Sequence, residues 1–220
     1  MENAKESPAS TCFNDIFEAA QSGTVQNVEY FVKSGVNVKA KDNCDLTLLH
    51  HAARDNPNVK VLEYLISKGV KVNAKDSDGW TALCRAASNN PVVDVLEYLV
   101  SMGAKVNAKD NDGATALHCA ADSNSNAEVL KYLVSKGAKV NAKGKDGNTA
   151  LHWAARNNPS MEILECLISL GADIHAINDG YGGSVLGLAA AYNPNIDVVK
   201  YLISQGADIQ AVDGKNWTVE

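Results

Sequence analysis

The chain is poor in aromatic residues, which make up 6% of its 220 positions. A core with so few rings must be closed by Ala, Leu and Val, and the hydrophobic content of 45% is ample for that. No stretch approaches the ~20 consecutive apolar residues of a membrane span. Surplus positive charge is also missing. The formal net charge of −6 argues against a general affinity for nucleic acid or an anionic membrane. The opening residues, MENAKESPASTCFND, lack the apolar core of a secretory signal. Five cysteines, Cys12, Cys44, Cys84, Cys119 and Cys166, contain no CxxC pair. Their odd number and scattered placement suit buried, reduced thiols and a cytoplasmic setting.

What is present is a rhythm. Gly35, Gly69, Gly103, Gly137, Gly171 and Gly206 recur at intervals of 34, four times, and then 35. Self-similarity of this period predicts a solenoid of stacked units, each touching only its neighbours. In the unit around Val93–Ala121, Val95, Leu96, Leu99 and Val100 fall at helical spacing, with Asp94 and Glu97 turned away near the positive helix start. Gly103 follows the last turn, where a left-handed residue is cheapest as glycine. Ahead of this helix lies a shorter one, Thr81–Ser88, with Thr81 as its N-cap. Between them, Asn89–Pro91 breaks the chain, and Pro57, Pro91, Pro159 and Pro194 share that slot. From Gly103 to Thr115 the chain is extended and turn-rich and contains an AspGly tight-turn signal. Each repeat therefore reads as helix, short loop, helix and hairpin-like connection.

A 34-residue period also occurs in tetratricopeptide repeats, but the long non-helical stretch between successive helix pairs does not suit them. The wording instead resembles the ankyrin repeat. TALH at Thr115–His118 and Thr149–His152 is similar to that family's TPLH, and GAKVNAKD at Gly103–Asp110 to its GADVNAxD. The resemblance covers roughly residues 13–220. It implies an all-α solenoid of stacked helix-turn-helix units joined by β-hairpin loops. The expected organisation is a flexible tail at 1–12 and a capping helix pair at 13–35. Repeats follow at 36–69, 70–103, 104–137, 138–171 and 172–206, with a partial repeat at 207–220. The family usually runs at 33 residues, and the extra residue here falls in the inter-helix loop. The fifth repeat carries a further insertion at 179–184. The last helix reads like an interior one, which points to a truncated array or to a partner covering that end.

The resemblance further implies a non-catalytic scaffold that grips a partner protein on a concave face of hairpin tips and first helices. An inhibitor or immunity protein occluding an enzyme, and the targeting arm of a larger effector or enzyme, fit the same face. Delivery into a host cell would follow if the source were a parasite or symbiont. A monomer is expected, with end-to-end contact available through the uncapped C-terminus. No nucleic acid, membrane, small-molecule substrate or cofactor is expected.

The histidines His50, His118 and His152 recur once per repeat, with Cys84 and Gly187 in the same slot. Stacked helices lie roughly 8–10 Å apart, whereas zinc ligands converge at about 2.0–2.3 Å from one ion, so no metal site is expected. In the resembled family this histidine bonds to the hairpin backbone. No Cys or Ser stands out beside a base as a nucleophile. Gly180–Gly183 lacks the Lys and following helix of a phosphate loop. Lys41, Lys75, Lys109 and Lys143, with Asp42, Asp76 and Asp110 beside them, read as a solvated face of mixed charge. Asn73, Asn107 and Asn141 resemble the family's substrates for asparaginyl hydroxylation.

Partner choice should lie where the repeats vary. The residue before the capping threonine is Leu46, Trp80, Ala114 or Asn148, then Tyr181 or Gly182, then Trp217. The pair at the end of the first helix includes Arg54, Arg156–Asn157 and Tyr192. A third slot holds His51, Arg85, Cys119, Trp153 and Leu188. Trp, Tyr and Arg are the types enriched at binding hot spots. The expected contact set is therefore Leu46, Arg54, Trp80, Arg85, Trp153, Arg156, Asn157, Tyr181 and Tyr192. For Trp80, hairpin packing stands as an equal alternative.

Overall fold

A computed structural model describes residues 13–179 and 183–210 of the chain. The expected tail at 1–12, the insertion tip with Tyr181 and the final stretch with Trp217 lie outside the described residues. Among the described residues there are twelve helices. They are α1 (Ile16–Ser22), α2 (Val25–Lys33), α3 (Leu48–Asp55), α4 (Val59–Ser67), α5 (Ala82–Asn89), α6 (Val93–Ser101), α7 (Ala116–Ser123), α8 (Ala127–Ser135), α9 (Ala150–Asn157), α10 (Met161–Ser169), α11 (Val185–Tyr192) and α12 (Ile196–Ser204).

Local chemistry sets these limits. The Thr81 hydroxyl accepts from the Cys84 amide to start α5, and Asn58, Asn126 and Asn195 cap α4, α8 and α12. Gly69 follows α4 at φ +82°, a conformation that only glycine adopts without strain.

The odd-numbered helices pack along one another from α1 to α11, while the even-numbered ones meet their counterparts only sparsely. Small residues allow this close approach. Ala52–Ala53, Ala86–Ala87, Ala120–Ala121 and Ala154–Ala155 are sealed from solvent. The even-numbered helices contribute leucines to the same core, among them Leu62, Leu65, Leu96 and Leu99. Tight contact on one side and loose contact on the other bends the stack, with the odd-numbered helices on its inner, concave side. No helix among the described residues is long and apolar enough to cross a membrane.

The connections are hairpin tips rather than β-ladders. Only two isolated antiparallel bridges occur among the described residues, Lys41 with Thr47 and Ile177 with Ser184. Each tip is closed by its own turn, as where the Asp76 amide donates to Trp80 O at 3.0 Å. The tips then bond to one another. Ser77 N donates to Cys44 O, Asn111 N to Asp78 O, Lys145 N to Asp112 O and Asp179 N to Asp146 O. This places the extended backbone between repeats, where it can satisfy its amides without strands. Gly79, Gly113 and Gly147 adopt positive φ at these tips, and Asp45 does the same at +62°. Asp45 is the only non-glycine residue there among those described.

Two rows of asparagine tie the stack together. In the inter-helix loops, Asn56, Asn90, Asn124, Asn158 and Asn193 each donate to two backbone carbonyls of the preceding unit. Their Oδ1 atoms accept from the amide two residues ahead. In the connections, Asn73 bridges Gly103 O and Lys105 N, Asn107 bridges Gly137 O and Lys139 N, and Asn141 bridges Gly171 O and Asp173 N.

Candidate partner-binding surface

The recurring histidine is a structural strut. His50 Nδ1 lies 3.0 Å from the Thr47 amide, which donates to it, so the ring proton sits on Nε2 and is donated to Trp80 O at 3.1 Å. His118 does the same between the Thr115 amide and Asn148 O. His152 accepts from the Thr149 amide, and its buried Nε2 has no partner among the described residues. Burial lowers the pKa of all three rings, that of His152 to about 4. Among the described residues no group of three or more His, Cys, Asp or Glu side chains is arranged to hold a metal ion. Cys84, Cys119 and Cys166 are buried free thiols.

The variable slots lie on the inner side of the curve and differ in character from repeat to repeat. In the second repeat Asp76 is buried, with Oδ1 accepting from the Asp78 and Trp80 amides. Its Oδ2 accepts from Arg85 Nη2 at 2.6 Å and Nε at 3.1 Å. The guanidinium lies 4.6 Å from the centre of the Trp80 ring. Carboxylate, guanidinium and indole form one fixed sandwich, so Trp80 packs within its own repeat while remaining half exposed. In the first repeat the same slot holds His51, whose Nε2 lies 2.9 Å from Asp42 Oδ2. Arg54 is paired with its neighbour Asp55.

Further along the curve a second cluster forms. Trp153 stands edge-on to His118, with ring centres 5.5 Å apart. The Arg156 guanidinium lies 4.7 Å from the centre of the Tyr192 ring, and Asn157 donates to Asp122. A cavity of about 280 Å³ opens beside Trp153, Arg156 and Asn157, lined also by Asp122, Asp146, Asn148 and Leu188. The structure thus brings Trp153, Arg156, Asn157 and Tyr192 together, and Trp80 with Arg85, and leaves Arg54 apart. Leu46 is only 7% exposed, so its side chain has almost no surface to present. Ala114 and Asn148 in the same slot are buried too. That slot faces inward, and Trp80 emerges because an indole is too large for it.

Asp76 and Asp122 join these clusters although neither stands in the expected contact set. Asp76 sits nine residues before Arg85, and no local periodicity links the two. Asp122 shares the variable slot of Arg54 and Arg156, and its bond to Asn157, one repeat on, exists only once the units stack.

The family model described as ankyrin repeats (3 copies) matches residues 16–110, 92–144 and 143–213. The chain belongs to the ankyrin-repeat family, whose members are generally protein-protein interaction modules and typically non-catalytic. Among curated proteins, none matches it.

Proposed function

We propose that this protein is a non-catalytic scaffold that binds a partner protein across its concave face and acts inside the cell as a monomer. The reading is supported most by the Trp153–Arg156–Tyr192 cluster. There, Trp153 and Arg156 border an open cavity on a rigid helical stack, and Tyr192, stacked against Arg156, remains 60% exposed. A framework that fixes such side chains in advance reduces the entropy lost on binding. Arg156 also has no carboxylate partner within the described residues, although Asp122 and Asp146 line the same cavity. The surface thus offers a partner both signs of charge beside two rings. The test is affinity capture with the intact protein, compared with capture by a Trp153→Ala, Arg156→Ala variant of unchanged melting temperature. A partner held equally by both would refute the assignment of the face.

A further inference from the structure

A different surface emerges when the lysines and aspartates of the connections are followed in three dimensions. In sequence, Lys75–Asp76 and Lys109–Asp110 alternate in sign. In the structure they part. Asp76 turns inward to its own hairpin amides and to Arg85, and its side chain has no exposed surface. Asp110 Oδ1 likewise accepts from the Asp112 and Ala114 amides. The lysines stay outside. Lys71, Lys75, Lys105, Lys109, Lys139 and Lys143 are all exposed. Among the described residues, only Lys143 of these comes near a carboxylate, at 3.9 Å from Asp179.

The asparagine bridges align these lysines. Because Asn73 holds the Lys105 amide and Asn107 the Lys139 amide, equivalent positions of successive repeats stack directly. Lys75 and Lys109 then reach along the stack to Lys109 O and Lys143 O. Lys68 and Lys136, at the ends of α4 and α8, lie over Tyr64 and Tyr132 beside the same row. At its start, Lys39 replaces the bridging asparagine. A cavity of about 260 Å³ opens there, bordered by Lys39, Lys41 and Lys71. The row stops abruptly, because the slot of Lys71, Lys105 and Lys139 is filled by Asp173 and then Asp208. All three arginines of the chain, Arg54, Arg85 and Arg156, lie on the concave side instead.

We propose that this lysine row is a second interaction surface, separate from the concave face, and that it takes an extended acidic protein segment. The repeat pitch of roughly 8–10 Å equals about three residues of extended chain at ~3.3 Å each. A carboxylate at every third position therefore meets one repeat after another. Lysines act as point charges and suit single carboxylates, whereas bidentate recognition of a phosphate favours the arginine fork. Single-strand nucleic-acid binders offer open aromatic faces, but one face each of Tyr64 and Tyr132 is taken by a lysine. Asp78, Asp112 and Asp146 on the adjoining hairpins are exposed, which admits a narrow chain and repels a broad polyanion.

The test titrates the intact protein with an oligoglutamate of about ten residues, enough to span three repeats at that rise. The Lys71→Asp, Lys105→Asp, Lys139→Asp variant is compared with a charge-matched Lys60→Asp, Lys131→Asp, Lys200→Asp control on the even-numbered helices. Asp173 shows that the slot accepts aspartate, and a glutamine version at the same three positions covers any loss of folding. Binding at low salt should fall by about tenfold or more in the row variant, change little in the control, and weaken toward ~0.15 M salt. The proposal is overturned if both variants lose equally or if the wild type does not bind at low salt. It is also overturned if an oligothymidylate or phosphatidylserine vesicles bind more tightly than oligoglutamate.

Discussion

Asn90 donates from one side-chain nitrogen to Asn56 O, 34 residues earlier, at 3.1 Å, and from the same nitrogen to Ala53 O. Both groups are buried. Truncating the amide leaves two sealed carbonyls without donors, and an unsatisfied buried group costs about 1–3 kcal/mol. Asn90→Ala should therefore lower the unfolding free energy by roughly 2–4 kcal/mol. Urea denaturation would show this, and a midpoint unchanged from wild type would contradict it.

Asp45 occupies the left-handed position that Gly79, Gly113 and Gly147 fill in the next three repeats. Its carboxylate reaches Lys41 at 3.2 Å, but both side chains are exposed and the pair contributes little. Asp45→Gly should stabilise the protein by a few tenths to about 1 kcal/mol. A clear drop in melting temperature would show that the side chain matters more than the backbone strain.

The histidine struts make stability depend on pH. Each ring must stay neutral, because Nδ1 accepts from a threonine amide. All three folded-state values lie below 6.5, that of His152 at about 4. As the pH falls below 6.5 the unfolded chain takes up protons first, so stability is complete above that value and is lost toward pH 4. His152 alone accounts for roughly 3 kcal/mol of that loss. Melting temperature against pH should bend downward in this window and flatten in a His118→Asn, His152→Asn variant. The same profile with and without EDTA should coincide.

Once a partner has been captured, Trp153→Ala or Arg156→Ala should weaken its binding by about 2 kcal/mol or more. Glu97→Ala and Lys131→Ala, on the outer helices, should change it little. Titration calorimetry of the four variants checks this, and the reverse ranking would place the partner on the outer surface.

The fold was legible because its determinants are local and repeated. A capping Thr or Ser and a glycine after the second helix mark each of the five repeats, and a His three residues beyond the cap marks three of them. The bonds between units were harder to read. Asn90 sits in an AsnAsnPro loop and looks like an ordinary turn residue, and its reach into the preceding unit exists only once helices stack. Leu46 shares a slot that varies between repeats and so belongs to the expected contact set, yet that slot points inward. The pairing of Trp153 with His118 and of Arg156 with Tyr192 joins residues about one repeat apart, where only the superhelix sets the distance.

The connection bridges are not evenly distributed. Asn73, Asn107 and Asn141 clamp the three central junctions. Their slot holds Lys39 in the first repeat and His175 in the fifth, and neither side chain makes the equivalent bond among the described residues. Cohesion is thus graded along the array. Under load or heat, the outer units should peel away first while the central ones stay in register, much as a spring would yield at its end coils if only its middle turns were soldered.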